Sequence, residues 1–229
     1  KIIQYIFNQK YVSHQIRAEI LDIYFDLRPT ARFVLDYKKQ AKLLAKSLIN
    51  LNLRISVSDG YVLHNNKKKY QDWFYNKDNG KKMICFYVSK KNFLSIKSKK
   101  MDETQNDKKF GNILGYPKCC VNYVKNYKRP PTIRESYNLY SFGNNYDPLI
   151  WPCSIVDDAN LISHFPCTIK CKKSNILAKK RWNLIKKYST LKIKNHYINS
   201  LSKYYFLKNN KVNTSKKYSK DCISPFYKL

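Results

Sequence analysis

The chain has 229 residues, 43% of them hydrophobic, and a formal net charge of +30 at pH 7 from 45 basic against 15 acidic side chains. That length and apolar content argue against global disorder and suit one domain or two small ones with a buried core. No apolar run approaches the roughly 18 to 20 residues of a membrane-spanning helix, and the opening KIIQYIFNQKYVSHQIR is too interrupted by polar groups to read as a secretory signal.

Along the chain, Ile16, Ile20, Ile23 and Leu27 fall near helical spacing and predict a helix over 12–27, broken by Arg28-Pro29-Thr30. From Ala31 to Asn50, the positions of Phe33, Val34, Tyr37, Ala41, Leu44, Leu48 and Ile49 predict an amphipathic helix. The period then changes to two, with Leu53, Ile55 and Val57 alternating against Arg54, Ser56 and Ser58. Asp59-Gly60 and Asn79-Gly80 are hairpin signals, with strands expected at Tyr61–His64, Trp73–Tyr75 and Met83–Val88. Residues 97–109 read as an exposed polar loop or the start of a helix. Gly115-Tyr116-Pro117 introduces a short helix carrying Val121, Val124 and Tyr127, which ends near Arg129-Pro130-Pro131. An irregular aromatic stretch runs through Tyr146-Asp147-Pro148 and Trp151-Pro152-Cys153. Pro166 is expected to open another helix, with Ile169, Leu177, Trp182, Ile185 and Tyr188 on its apolar face. The lysine-rich tail from residue 205 reads as disordered or surface-bound.

The pattern predicts an α+β fold. N-terminal helices and a small antiparallel sheet occupy residues 1–100, and a mainly helical cysteine-rich module packed on it occupies 101–204. A basic tail covers 205–229.

Charge of this size draws polyanions such as RNA, DNA or an anionic membrane surface. A plainer cause competes with selection for such a partner. Lysine far outnumbers arginine, and Asn, Ile and Tyr are abundant, as an A/T-rich coding sequence produces. The scarcity of arginine also takes away the residue best suited to bidentate base and phosphate contacts.

The seven cysteines are Cys85, Cys119, Cys120, Cys153, Cys167, Cys171 and Cys222. An odd count in a chain this long fits a reducing compartment such as the cytoplasm better than a secreted disulfide scaffold. Four of them fall in two similar stretches, Gly115-Tyr116-Pro117-Lys118-Cys119-Cys120 and His164-Phe165-Pro166-Cys167-Thr168-Ile169-Lys170-Cys171. In each, an aromatic residue and a proline precede cysteine and a helical pattern. Cysteines in a first helical turn face unpaired N–H groups and the positive end of the helix dipole, both of which favour thiolate. Cys167 and Cys171, four apart, would share one helix face. Adjacent Cys119 and Cys120 point about 100° apart, so both serve one site only if the first turn is distorted.

Three or four thiolates converging from two helix starts suit a [4Fe–4S] iron–sulfur cluster or a zinc ion. His164, three residues before Cys167, makes a mixed Cys/His zinc site the nearest rival and is a candidate metal ligand beside the four cysteines. Redox or nucleophilic thiols without metal, and simple buried cysteines, remain as further readings. The spacing matches neither a zinc ribbon nor a bacterial ferredoxin.

LGYPKCCVNYV followed by HFPCTIKCKKS resembles an uncharacterised family of archaeal and bacterial proteins. Its pattern is leucine-glycine-tyrosine-proline-x-cysteine-cysteine-valine, then histidine-x-proline-cysteine-x3-cysteine-x2-serine. The resemblance covers roughly residues 105–175 and implies that Cys119, Cys120, His164, Cys167, Cys171 and Ser174 form one site. It implies no reaction. The cysteine order is also similar to that of the CCG domains holding non-cubane clusters, but no glycine follows the pair here and there is no second copy.

Other candidates carry plainer readings. Asp157 and Asp158 could orient His164 but suit a helix cap or turn. His14, His64 and His196 are isolated. Cys153 reads as a buried thiol and Cys222 as a free one. Mixed lysine and tyrosine, as in Tyr123 to Arg129 and Lys186-Lys187-Tyr188, could hold phosphates and stack bases. No Walker loop, GxGxxG, GxSxG or HExxH is present, which removes support for nucleotide hydrolysis, dinucleotide redox and serine or zinc protease chemistry. Three functions follow. The first is an iron–sulfur protein, with catalysis left open and an anionic substrate such as RNA if it is an enzyme. The others are a zinc-stabilised nucleic-acid-binding protein without catalysis and a metal-free thiol enzyme.

Overall fold

A computed structural model of the chain describes residues 12–36, 39–63, 73–74, 80–125, 148–150, 158–168, 170–201, 204–208 and 211–215. The fold is α+β and divides into two compact units, Lys1–Tyr116 and Pro117–Leu229. No described helix is long and apolar enough to cross a membrane.

The first unit is built on a four-stranded antiparallel sheet of order β1-β4-β2-β3, with β1 Thr30–Asp36, β2 Arg54–Leu63, β3 Trp73–Phe74 and β4 Gly80–Ser89. Helix α1 (His14–Tyr24) starts where the Ser13 side chain accepts from the Ile16 N–H at 3.2 Å. Past its end, Asp26 takes a positive φ, and the Leu27 and Arg28 N–H groups return to the Asp22 carbonyl. Helix α2 (Lys39–Asn50) follows β1. Ile20 and Ile23 of α1 and Leu44 and Leu48 of α2 pack with Phe33, Leu35, Leu53, Phe86 and Val88 of the sheet region to form the core. Each such side chain contributes roughly 1.5–3 kcal/mol on burial.

Residues 30–36 are a strand, not the first part of a helix running to Asn50. Two periods overlap there, and Ala31, Phe33 and Leu35 alternate into the core while Phe33 pairs with Phe86 across the sheet. Strand pairing overrides the helical spacing of Phe33, Val34 and Tyr37. Asp59-Gly60 is likewise not a turn. It lies inside β2, opposite Ile84 and Met83, in a ladder that continues from Arg54 to Leu63. Asn79 lies outside the described residues, and Gly80 opens β4.

Helices α3 (Asn92–Glu103) and α4 (Asp107–Ile113) account for most of the polar stretch 97–109. They pack on the sheet through small and polar groups. Ser56 Oγ meets Ser95 Oγ at 3.0 Å, and Thr30 Oγ1 donates to the Ile113 carbonyl at 3.0 Å. Asp102 accepts both Arg32 Nη1, at 2.9 and 3.1 Å, and Tyr87 Oη, at 2.7 Å. Both helices belong to the first unit, which runs to Tyr116.

Helix α4 ends in a Schellman motif. The Gly115 N–H reaches the Asn112 carbonyl and the Tyr116 N–H reaches the Gly111 carbonyl, with Gly115 at φ +77°. Arg28 Nε donates to the adjacent Leu114 carbonyl at 2.9 Å, and its guanidinium lies over the Tyr116 ring.

The second unit contains α5 (Lys118–Lys125), a 3₁₀ turn at Pro148–Ile150, α6 (Lys172–Tyr188), α7 (Leu191–Leu201) and a hairpin of β5 (Tyr204–Lys208) with β6 (Lys211–Ser215). Trp182 of α6 stacks at a tilt on Tyr197 of α7, with ring centroids 6.2 Å apart. Two expectations change here. Pro166 does not open a helix, since residues 166–168 are irregular and α6 begins at Lys172. The first residues of the basic tail form the β5–β6 hairpin, where Tyr204-Tyr205-Phe206-Leu207 is a strand-forming run. Residues 216–229, including Cys222, lie outside the described residues.

Candidate metal centre

Pro117 stands just before α5 and its carbonyl accepts from the Cys120 N–H at 2.9 Å and the Val121 N–H at 3.0 Å. The first of these is a 3₁₀-type bond that tightens the opening turn. Cys119 and Cys120 are therefore in the first turn of a helix, as the proline predicts. Cys120 is buried and Cys119 partly exposed.

Cys171 is the N-cap of α6, with extended backbone, and its carbonyl accepts from the Asn175 N–H at 3.0 Å. Its own N–H donates to the Thr168 carbonyl at 3.1 Å, closing a turn that carries Cys167 back toward it. Cys167 and Cys171 thus meet through a turn before the helix and do not share a helix face. The expected helix start at Cys167 is corrected accordingly.

These two segments bring four sulfurs together. The Sγ atoms of Cys119, Cys120, Cys167 and Cys171 all lie within 4.8 Å of one another and can hold a metal ion. Cys119 to Cys120 is 3.9 Å, Cys119 to Cys171 is 3.9 Å, and Cys120 to Cys171 is 3.7 Å. Both members of the adjacent pair reach the group and form a nearly equilateral triangle of sulfurs with Cys171. The Cys167 backbone N–H donates to Cys120 Sγ at 3.3 Å.

Ser174, one turn into α6 and fully buried, lies with Oγ 3.3 Å from Cys120 Sγ and 2.8 Å from His164 Nε2. His164 therefore touches the thiol group through a serine, and the four sulfurs close on one another without it. Arg181 Nη2 donates to Ser163 Oγ at 3.1 Å and steadies the segment leading to His164. Sequence reasoning missed Arg181. The available signal was an arginine among the lysines of α6 at a position that its apolar face buries, where a forked donor suits a fixed acceptor better than lysine does.

The thiols are not equivalent. Burial pushes the Cys120 thiol well above its ordinary range. Burial and the neighbouring thiols of Cys171 and Cys119 push Cys167 up to about 11. Burial also opposes ionisation of Cys171, but hydrogen bonds from the Ser174 hydroxyl and backbone N–H, and from Cys120 and Cys167, bring it down to about 7. The lowered Cys171 thiol beside the raised thiols of Cys120 and Cys167 is an arrangement that a cation would complete.

Among the described residues, the remaining candidates are not members of this group. Cys85 is buried in the first unit, where desolvation pushes its thiol up to about 12. His14 is within 3.3 Å of Arg17, and His196 packs edge-on against Tyr197. Asp158 occupies a turn with positive φ. Asp157, His64 and Cys153 lie outside the described residues.

Residues 91–198 match the model of a family described as a protein of unknown function (DUF483), a stretch that contains all four clustered cysteines, His164 and Ser174. No curated protein and no solved structure matches the chain.

Proposed function

We propose that the second unit carries a mononuclear metal centre, with Cys119, Cys120, Cys167 and Cys171 as ligands and zinc as the ion. The observation that carries this reading is the sulfur spacing, with three pairs at 3.7–3.9 Å and all four sulfurs within 4.8 Å. A tetrahedron of zinc–sulfur bonds of about 2.3 Å has sulfur-to-sulfur edges of about 3.8 Å. In a four-iron cubane each thiolate binds a different iron, which spreads the sulfurs wider than one shared ion does. The spacing therefore favours a single ion over the [4Fe–4S] cluster read from the sequence.

Four thiolates fill a zinc coordination sphere, and closed sites of this kind are structural. The ion would tie the turn at residues 167–171 to the start of α5, and the chain would act as a binding protein rather than a catalyst. His164 would donate to Ser174, whose hydroxyl would donate to the Cys120 thiolate and hold it in place. The net charge of +30 supports a polyanionic partner. A second reading, a metal-free thiol enzyme, draws on the lowered Cys171 thiol beside partly exposed Cys119.

Metal and acid-labile sulfide analysis of protein purified without oxygen separates these readings. One zinc per chain without sulfide is expected. Near four irons and four sulfides would replace the single ion with a cluster. Full occupancy by no metal, with loss of an activity on alkylation of one cysteine, would support the thiol enzyme.

A further inference from the structure

Helix α6, KKSNILAKKRWNLIKKY, repeats a lysine pair every seven residues, at Lys172-Lys173, Lys179-Lys180 and Lys186-Lys187. All six are exposed. Seven residues are close to two helical turns, so the pairs stack along one face, over a helix about 25 Å long. Ile176 and Asn183, also seven apart, occupy the same face between them. The opposite face, with Ser174, Ala178, Arg181, Trp182 and Ile185, is buried. The helix contains no acidic residue, and none of the six lysines is ion-paired among the described residues. Helix α3 differs. Its lysines share the helix with Asp102 and Glu103, and Lys99 lies 3.7 Å from Glu103.

We propose that the exposed face of α6 binds duplex DNA through its phosphates. A ribbon of uncompensated positive charge is complementary to a phosphate backbone and releases its condensed counterions. Other polyanionic surfaces fit less well. A helix that lies in a membrane surface turns its apolar face to lipid, whereas the apolar face of α6 is turned into the protein. Single strands are held by exposed aromatic side chains on which bases stack; of the two aromatic residues of α6, Trp182 is buried, and Tyr188 is only partly exposed with Lys187 over its ring. Between duplexes, the B-form major groove, about 12 Å wide, admits a helix of about 10–12 Å, and the narrow A-form major groove does not. Lysine ammonium groups contact phosphates as point charges and carry little base preference, so binding is independent of sequence. The proposal rests on the exposed face of α6 and not on the identity of the bound ion.

The test uses the full chain as purified and a short fluorescent DNA duplex of mixed sequence. One variant replaces the six α6 lysines with glutamine. A charge-matched control replaces six exposed lysines of the first unit, Lys42, Lys46, Lys97, Lys100, Lys108 and Lys109, in the same way. A third variant replaces the α6 lysines with arginine. Affinity is read by anisotropy over a range of salt, with circular dichroism confirming the helices. The α6 glutamine variant should lose about 100-fold at low salt, and its slope of log affinity against log salt should become shallower by roughly 4. The control should change less than about threefold and the arginine variant should keep its affinity. Equal losses in both glutamine variants would show a general field effect and overturn the proposal. So would loss in neither, tighter binding to an RNA duplex, or α6-dependent binding to anionic vesicles alone.

Discussion

Cys120 Sγ and Cys171 Sγ lie 3.7 Å apart although 51 residues separate them in the chain. One comes from the first turn of α5 and the other caps α6. The contact makes the thiol group a tertiary feature, and substitutions within and outside it should behave differently.

Replacing Cys171 with serine should abolish stoichiometric metal and weaken zinc binding at least ~100-fold, with a lower thermal midpoint. Cys85→Ala should leave zinc stoichiometry unchanged, since Cys85 is buried in the first unit outside the group. Zinc titration and melting of both proteins check this pair. Equal zinc affinity in the two would remove Cys171 from the ligand set.

Ser174→Ala should retain one zinc per chain but weaken it by about 10- to 100-fold, the usual effect of removing a group that orients a ligand. Ser174 is within hydrogen-bonding range of both Cys120 Sγ and His164 Nε2, so His164→Phe should act in the same direction. If the two effects run through one contact, the double variant should be no weaker than Ser174→Ala alone.

Zinc affinity should rise with pH. Metal requires thiolate, and in the metal-free protein Cys120 and Cys167 hold their protons at neutral pH because burial raises both, Cys167 to about 11. Binding must displace these protons, so affinity falls as pH falls. Cys171, lowered to about 7, adds a further proton only as pH drops through that value. Calorimetry in buffers of different ionisation enthalpy should show nearly one more proton released at pH 6 than at pH 8, the one that Cys171 carries below its lowered value.

Gly115→Ala should destabilise the first unit by about 2 kcal/mol. Gly115 sits at φ +77°, and an added Cβ would come within 2.7 Å of Pro29 Cδ. Denaturant unfolding measures the loss, and metal stoichiometry should not change. That outcome would separate the glycine of the LGYP segment, which ends α4, from the cysteines that follow it.

Much of this was legible in the chain itself. The four cysteines that cluster, the start of α5 after Pro117 and the helix of residues 172–188 follow from local chemistry: proline suits the approach to a helix, and a buried stripe recurs near every third or fourth residue. The α+β class follows from the change of period at Leu53. Other features were decided only in three dimensions. Residues 30–36 carry both helical and strand spacing, and pairing with β4 selected the strand. Asp59-Gly60 reads as a turn in isolation, yet β4 offered it a continuous ladder. Cys167 reads as a helix start, but the Cys171 N–H bond to the Thr168 carbonyl makes a turn there instead. Local preferences are worth a few tenths to about 1 kcal/mol per residue and identify which elements can form. Partners distant in sequence supply the burial and hydrogen bonds that choose among them, and the spacing of four sulfurs drawn from two segments is of that second kind.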